Sequence, residues 1–439
     1  MNCESSWRWV GSRSAGAATS GGASCRSCFL VVYGLSRSNV RRGVVCTSVP
    51  RDVAGPEDRQ RTWADPEEEK REGRGRWARR QELQRRWVEV ENWGSDGADF
   101  AIVSHNILGD HNASKHRDLY PNIPFDYMKW DRRKELIFQD ICRWNAEIVC
   151  LQEVDRYHDL LNYMRSEGYA GTFKRRTGGS TDGCAIFWRE NEFHLLEEKS
   201  IEFKSFHLRD NIAQLCIFET RKGNTRRFLV GNIHVLFNPN RGEIKLGQIR
   251  ILLQNAHALA QKRGGIPVVL AGDFNSTPQS AVYEFLSTSE LNLAAHDRKY
   301  LSGQNKHHPL SVTSTRCMDY PWTNEELRTA TGHWGCAQLE HSLKLQSAYA
   351  SVKGASTTRG PKGEPLATTY HSKFLGTVDY VWYSSGLSPL RVLDTLSLSD
   401  LRKIDGLPWE GIGSDHLALA CDFVFTEKHT ELGQTAPGK

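Results

Sequence analysis

Residues 270–278 read LAGDFNSTP. They follow the apolar run IPVVL (266–270) and precede the helix-like QSAVYEFLS (279–287). Residues two apart in a strand share a face. Asp273 and Asn275 are therefore expected side by side at the end of a buried strand, a carboxylate next to an amide. The same composition suits a turn, with Ser276 or Thr277 capping the next helix and Pro278 in its first turn. Either way the stretch is a strand-to-helix junction, and the rest of the chain repeats that texture.

Short β-rich runs recur at 100–107 (FAIVSHNI), 147–154 (EIVCLQEV), 182–189 (DGCAIFWR), 212–220 (IAQLCIFET), 227–235 (RFLVGNIHV), 378–385 (VDYVWYSS) and 417–425 (LALACDFVF). Several alternate apolar and polar residues, as strands with one buried face do. Helical periodicity lies between them. RRKELIFQDICRWN (132–145) puts Ile137, Ile141 and Trp144 on one face, and GEIKLGQIRILLQNAHALAQKR (242–263) does so with Ile249, Leu252, Leu253 and Ala256. Alternating strands and helices predict an α/β domain over 98–428, with two sheets flanked by helices.

Polar residues collect at the ends of these runs: Asn106, Gln152 and Glu153, Asn232 and His234, Asp273 and Asn275, Asp379, Asp415 and His416. Each alone suits a turn or a cap. Together they predict one site where strand ends meet loops. There is no GxSxG elbow for a serine nucleophile and no GxxxxGK[ST] phosphate loop. Carboxylates and amides without clustered cysteines suit a hard cation, Mg²⁺ or Mn²⁺. With histidines to contact an anion, the set describes phosphodiester hydrolysis.

The flanks differ in composition. Residues 1–50 are rich in Arg and Ser with Glu4 as the only acid, the signature of an organellar transit peptide or of a disordered tail. Residues 51–97 alternate charges densely and read as a solvated linker, and 429–439 reads as a disordered tail. A plastid or mitochondrial location is expected, with cytoplasm or nucleus as the alternative. Eleven cysteines lack framework spacing. Cys150, Cys184, Cys216 and Cys421 lie in apolar runs and are expected as buried thiols. Neither the lone Cys25/Cys28 pair nor the His307/His308 pair is expected to bind metal. No apolar run spans a bilayer, so no membrane partner is expected. The stretches 297–342 and 353–366 are poor in apolar residues and read as long loops.

HNIL, LQEV, DGCAIFW, GNIHV, GDFNS, VDYVWYS and GSDH, in this order, resemble the exonuclease/endonuclease/phosphatase superfamily. WDRRKELIFQDI, NPNRGEIKLGQ and FLGTVDYVWYS make the chain most similar to its carbon-catabolite-repressor-type deadenylases, especially those of plants. The resemblance implies a four-layered α/β sandwich, two central mixed β-sheets flanked by helices. It implies a Mg²⁺-dependent 3′-to-5′ exoribonuclease that trims poly(A) RNA and releases AMP. Glu153 resembles the principal metal ligand, with Asn106 assisting and Asp415 on the metal side. Asp273 resembles the group that activates the attacking water, and Asn275 the amide that steadies the phosphate. His416, oriented by Asp379, resembles the histidine on the scissile phosphate, and His234 a second phosphate contact. Pro239 and Phe374 fall where these deadenylases hold the adenine base. No leucine-rich period precedes the domain, which argues against membership of the large deadenylase complex. An adenine-nucleotide 2′-phosphatase and an inactive RNA- or partner-binding domain are the alternatives.

Overall fold

The computed structural model describes residues 85–90, 98–304 and 320–426. The expectations for 1–50, for most of the linker, for Cys25 and Cys28, for His307 and His308 and for 429–439 fall outside these residues.

Two mixed sheets form the centre. The first runs in the order Trp87–Glu89, Leu387–Leu393, Leu419–Phe425, Phe100–Asn106, Ile148–Gln152, Gly183–Arg189, Tyr169–Arg175. The second runs Gln346–Ser347, Asp379–Tyr383, Val268–Asp273, Arg227–His234, Ile212–Thr220, Phe193–Glu202. Each sheet holds one parallel pair, Phe100–Asn106 with Ile148–Gln152 and Arg227–His234 with Val268–Asp273. Parallel neighbours need a crossover, and a helix supplies each one. These are the two helices predicted from periodicity, Trp130–Trp144 and Gly242–Lys262.

Strand alternation builds the layers. Phe100, Ile102, Phe228, Val230, Val269, Ala271 and Val381 face inward between the sheets. The alternate residues Val103, Val149 and Leu151 pack on Ile137, Phe138 and Ile141 of the first helix. Leu229, Ile233 and Leu270 pack on Ile249, Leu252, Leu253 and Ala256 of the second. The result is the expected sandwich, helix, sheet, sheet, helix. Cys150, Cys184, Cys216 and Cys421 are buried free thiols, as expected.

One end of the inter-sheet layer is aromatic. Phe100 stacks on Phe228 at 4.6 Å, with Phe193 and Phe218 edge-on or tilted against them. Roughly 13 Å further along the same strands, at about 3.3 Å per residue, the inward positions become polar. Gln152 donates to Asn232 Oδ1 at 2.8 Å, and Asn232 donates to the Leu151 and Ala185 carbonyls. These two strand-end residues bolt the sheets together just beneath the site.

Several sequence expectations are corrected. Trp87–Glu89, inside the stretch read as a linker, pairs antiparallel with Leu387–Leu393 because Trp87 and Val88 add apolar surface to the sheet edge. Part of 297–342 is a helix, Asn324–Thr331, closed by a Thr323/Glu326 capping box and packed on Gly242–Lys262. The helix after LAGDFNSTP starts later than Ser276, Thr277 and Pro278 suggest. Its cap is Ser280, whose hydroxyl accepts from the Tyr283 amide.

Gly272 has φ +146°, and a Cβ there would lie 2.0 Å from the Ile233 carbonyl oxygen. Two adjacent backbones meet at this point, so the clash cannot relax through a side chain. Gly272→Ala is expected to cost at least about 3 kcal/mol, read as a lowered urea midpoint with an unchanged slope.

Candidate active site

The polar cluster is the open end of the inter-sheet layer. Asn106 pairs with Gln152 at the end of the first parallel pair, and His234 with Asp273 at the end of the second. The antiparallel neighbour Asp379–Tyr383 begins here, with Asp379 opposite Asp273. Leu419–Phe425 also begins here, which brings His416 in on the preceding turn. Strand direction therefore delivers five polar side chains to one place.

Asp273 is the hub. Its Oδ2 accepts from Asn106 Nδ2 at 3.1 Å and lies 3.5 Å from His234 Nε2 and 4.0 Å from His416 Nε2. Its Oδ1 accepts from the Asn275 amide at 2.8 Å. The strand has ended by then, because Asn275 has φ +47°. Asp273 and Asn275 therefore meet through a turn and not as neighbours on one strand face. Burial and then the Asp379 carboxylate push the Asp273 carboxyl up from its ordinary value, against the pull of His416.

Asp379 and His416 form a dyad, Nδ1 to Oδ2 at 2.9 Å, with Thr368 donating to the same oxygen at 2.6 Å. Burial alone would lower the His416 pKa. The Asp379, Asp415 and Asp273 carboxylates outweigh it and raise the ring well above its ordinary value. A charged ring turned by Asp379 presents Nε2–H to the centre of the cluster. Burial pulls His234 down to about 4, so it is the neutral member of the pair.

Glu153 sits just past its strand at φ +57°, a strained conformation for a non-glycine residue. Its oxygens accept from Asn106 Nδ2 at 3.1 Å, Asn112 Nδ2 at 2.9 Å and the Gly109 amide at 3.2 Å. All are neutral donors. Asn106 thus spans two carboxylates, Glu153 and Asp273. Asp415 Oδ2 accepts from Tyr120 OH at 2.8 Å, and the Asp415 and Glu153 carboxylates both act on that hydroxyl. Asp273, Asp379 and His416 offer ligand atoms within 4.8 Å of one another. A protonated imidazole has no lone pair for a cation, so His416 suits an anion better. Glu153, with two oxygens and no charged partner in these contacts, fits a hard cation.

Asn275 donates through Nδ2 to the Val235 carbonyl at 2.9 Å, which uses one of the two amide hydrogens. Pro239 and Phe374 do not join the hydrogen-bonded cluster. Pro239 lies on the loop after His234, and Ser302 Oγ donates to its carbonyl at 3.0 Å. Phe374 belongs to the hairpin Thr369–His371/Phe374–Gly376, which is tied to the dyad's turn through Thr369 and Tyr370. Pro239 is thus tied through Ser302 to the turn after Asp273, and the Phe374 hairpin to the turn before His416.

Sequence reasoning passed over Thr368, Tyr120 and Asp182. Asp182 is buried, lies 3.5 Å from Arg176, and its charge acts on His234. Its place at the head of DGCAIFW was the available signal. Thr368 and Tyr120 lie in segments without a motif, and nothing in the sequence marks them.

The chain matches the Endonuclease/Exonuclease/phosphatase family over residues 103–416. It is 48% identical over 411 residues to Carbon catabolite repressor protein 4 homolog 3 of Arabidopsis thaliana, covering 89% of this chain and 91% of that one. It is 27% identical over 376 residues to the CCR4-Not complex 3′-5′-exoribonuclease subunit Ccr4 of Mycosarcoma maydis, covering 74% and 50%. Among solved structures, ANGEL2, a 2′,3′-cyclic phosphatase, in complex with adenosine-2′,3′-vanadate, superposes with a TM-score of 0.65 at 30% identity over 78% of this chain and 98% of that one. Among the described residues no helix is long and apolar enough to cross a membrane.

Proposed function

Because the chain belongs to the endonuclease/exonuclease/phosphatase family, we propose that it is a Mg²⁺-dependent 3′-to-5′ exoribonuclease that removes AMP from poly(A) ends. The observation that carries the chemistry is the Asp379–His416 dyad facing Asp273 across the end of the sandwich, with Glu153 beyond Asn106. Likeness to the two carbon-catabolite-repressor-type proteins supports RNA as the substrate.

Each side chain has a task. Asp273, with its pKa raised by burial, takes the proton of the attacking water. His416 donates from Nε2 to a phosphate oxygen as charge develops, and Asp379 holds the ring's orientation and charge. Asn275 gives its second amide hydrogen to the phosphate. His234, neutral, is a second phosphate contact. A Mg²⁺ ion at Glu153 and Asn106, with Mn²⁺ as a substitute, would supply Lewis-acid stabilisation of the phosphoryl oxygens. Asp415, held by Tyr120, would be a further carboxylate on the metal side. Pro239 and Phe374 would flank the terminal adenine, where stacking contributes about 1–3 kcal/mol per base.

A second reading rests on the likeness to the 2′,3′-cyclic phosphatase bound to an adenosine-2′,3′-vanadate. It keeps the dyad and Asp273 and changes the bond cut. The deciding assay offers oligo(A), oligo(U), oligo(A) ending in a 2′,3′-cyclic phosphate, and NADPH, with and without Mg²⁺. The proposal expects AMP from oligo(A) and activity that stops with EDTA. Phosphate release from NADPH, or ring opening of the cyclic end without chain shortening, would replace it. Glu153→Gln is expected to abolish the rise in melting temperature that Mg²⁺ gives the parent protein. An unchanged rise would remove Glu153 from the metal site.

We also infer an organellar address from residues 1–50. A fluorescent fusion should reach plastids or mitochondria only when residues 1–60 are present. Cytosolic signal from both forms would overturn that inference.

A further inference from the structure

Lys245 lies in the first turn of the helix Gly242–Lys262 and is completely buried. Its neighbours Ile244, Leu246 and Ile249 belong to the apolar core, where an uncharged side chain would be expected. The Lys245 ammonium donates to three oxygens: the Asn275 carbonyl at 2.5 Å, Gln304 Oε1 at 2.6 Å and the Phe237 carbonyl at 3.4 Å. Three acceptors match the three N–H groups of a charged lysine. All three are neutral. Among the described residues Asp273 is the one charge that steadies the ammonium, and burial still pulls Lys245 down to about 7. A buried charge without a paired partner is costly to keep.

The same atoms lock Asn275. Gln304 Nε2 donates to Asn275 Oδ1 at 3.1 Å, so Lys245, Gln304 and Asn275 close a ring of hydrogen bonds. Both oxygens of Asn275 are held by that ring, its own amide is held by Asp273, and its side-chain nitrogen by Val235. Asn275 has φ +47°, a conformation that persists only when its surroundings fix it.

We propose that Lys245 is a positioning residue for the reaction: it fixes the Asn275 carboxamide through the Gln304 ring, and its buried charge is balanced when a phosphate binds beside Asn275. The inference rests on the phosphodiesterase reading and adds a residue to which the NPNRGEIKLGQ stretch by itself assigns no role. A lysine kept for packing and a lysine kept for the phosphate differ in what their removal does. Exchanging an under-compensated buried charge for an apolar group of similar length is often neutral or stabilising. Losing the orientation of a pre-organised donor lowers turnover about 10²-fold or more.

The test uses the full chain with Lys245→Met and Gln304→Leu. Three quantities are read: kcat and KM on oligo(A) with Mg²⁺, melting temperature, and the rise in melting temperature given by inorganic phosphate. For Lys245→Met the expected result is a kcat about 10²-fold lower, with KM little changed, an undiminished melting temperature and loss of the phosphate-induced rise. For Gln304→Leu, which opens the ring and leaves the charge, the phosphate-induced rise stays and kcat falls by a smaller factor. A kcat within threefold of the parent, or a loss of activity that only tracks a lower melting temperature, overturns the proposal. If Lys245→Met does not fold, Gln304→Leu decides alone, and parental kcat there overturns it. If the parent protein hydrolyses no substrate, the phosphodiesterase reading fails. The phosphate-induced rise then still isolates Lys245, whose proposal falls if Lys245→Met keeps that rise.

Discussion

Asp273→Asn is expected to lower turnover by about 10³-fold, within the range for loss of a general base. The amide keeps the shape of the carboxylate and can still accept the Asn275 amide hydrogen at Oδ1. What it loses is the proton acceptor at Oδ2, where Asn106, His234 and His416 converge. Asp273 is 2% exposed, and burial and the Asp379 carboxylate both disfavour its charge, whereas Lys245 and His416 lose a compensating charge when it is neutralised. The opposing effects are expected to leave a variant that still folds and melts cooperatively. The check is single-turnover hydrolysis of oligo(A) alongside a thermal melt. A variant with at least a tenth of parental turnover would strip Asp273 of its role. A variant that fails to melt cooperatively would show the residue to be structural.

His416→Ala is expected to cost about 10²–10³ in kcat, the usual result of deleting one pre-organised donor to a developing oxyanion. The dyad gives this prediction a second part. His416 keeps its charge because Asp379 and Asp415 outweigh its burial, and Thr368 fixes the Asp379 oxygen that orients the ring. Asp379→Asn should therefore cost nearly as much as removing the ring. The double variant should be little worse than either single one, as with residues that act as a unit. Additive losses in this double-mutant cycle would show that the two act separately. Thr368→Val gives a graded control. It leaves the dyad's 2.9 Å bond and removes one support, so a smaller loss in kcat is expected.

The sequence by itself determined the layers. Period-two runs predicted the strands, period-3.6 runs predicted the two crossover helices, and polar residues at run ends predicted where the site lies. All three follow from local geometry, because backbone pitch fixes which residues share a face. The motif set also determined the family, since its residues and their order are read without any coordinates.

What the tertiary structure decided is how these residues meet. Asp379 faces Asp273 only because their strands are antiparallel and in register, and register depends on pairing between segments far apart in the chain. Asn275 left the strand face because Gly272 and the turn after Asp273 redirect the backbone. Asn232 became a bolt between sheets while His234, two residues on and facing the same way, reached the site. Their types predict the same role; their depth along the inter-sheet layer separates them. Trp87–Glu89 joined the sheet from within a charged stretch because an edge strand needs only a few apolar residues and a free neighbour. Lys245 lies in the NPNRGEIKLGQ stretch, which marks a likeness but assigns the lysine no role. A lysine in a helix reads as solvated, and only the folded chain places its charge under the turn of LAGDFNSTP.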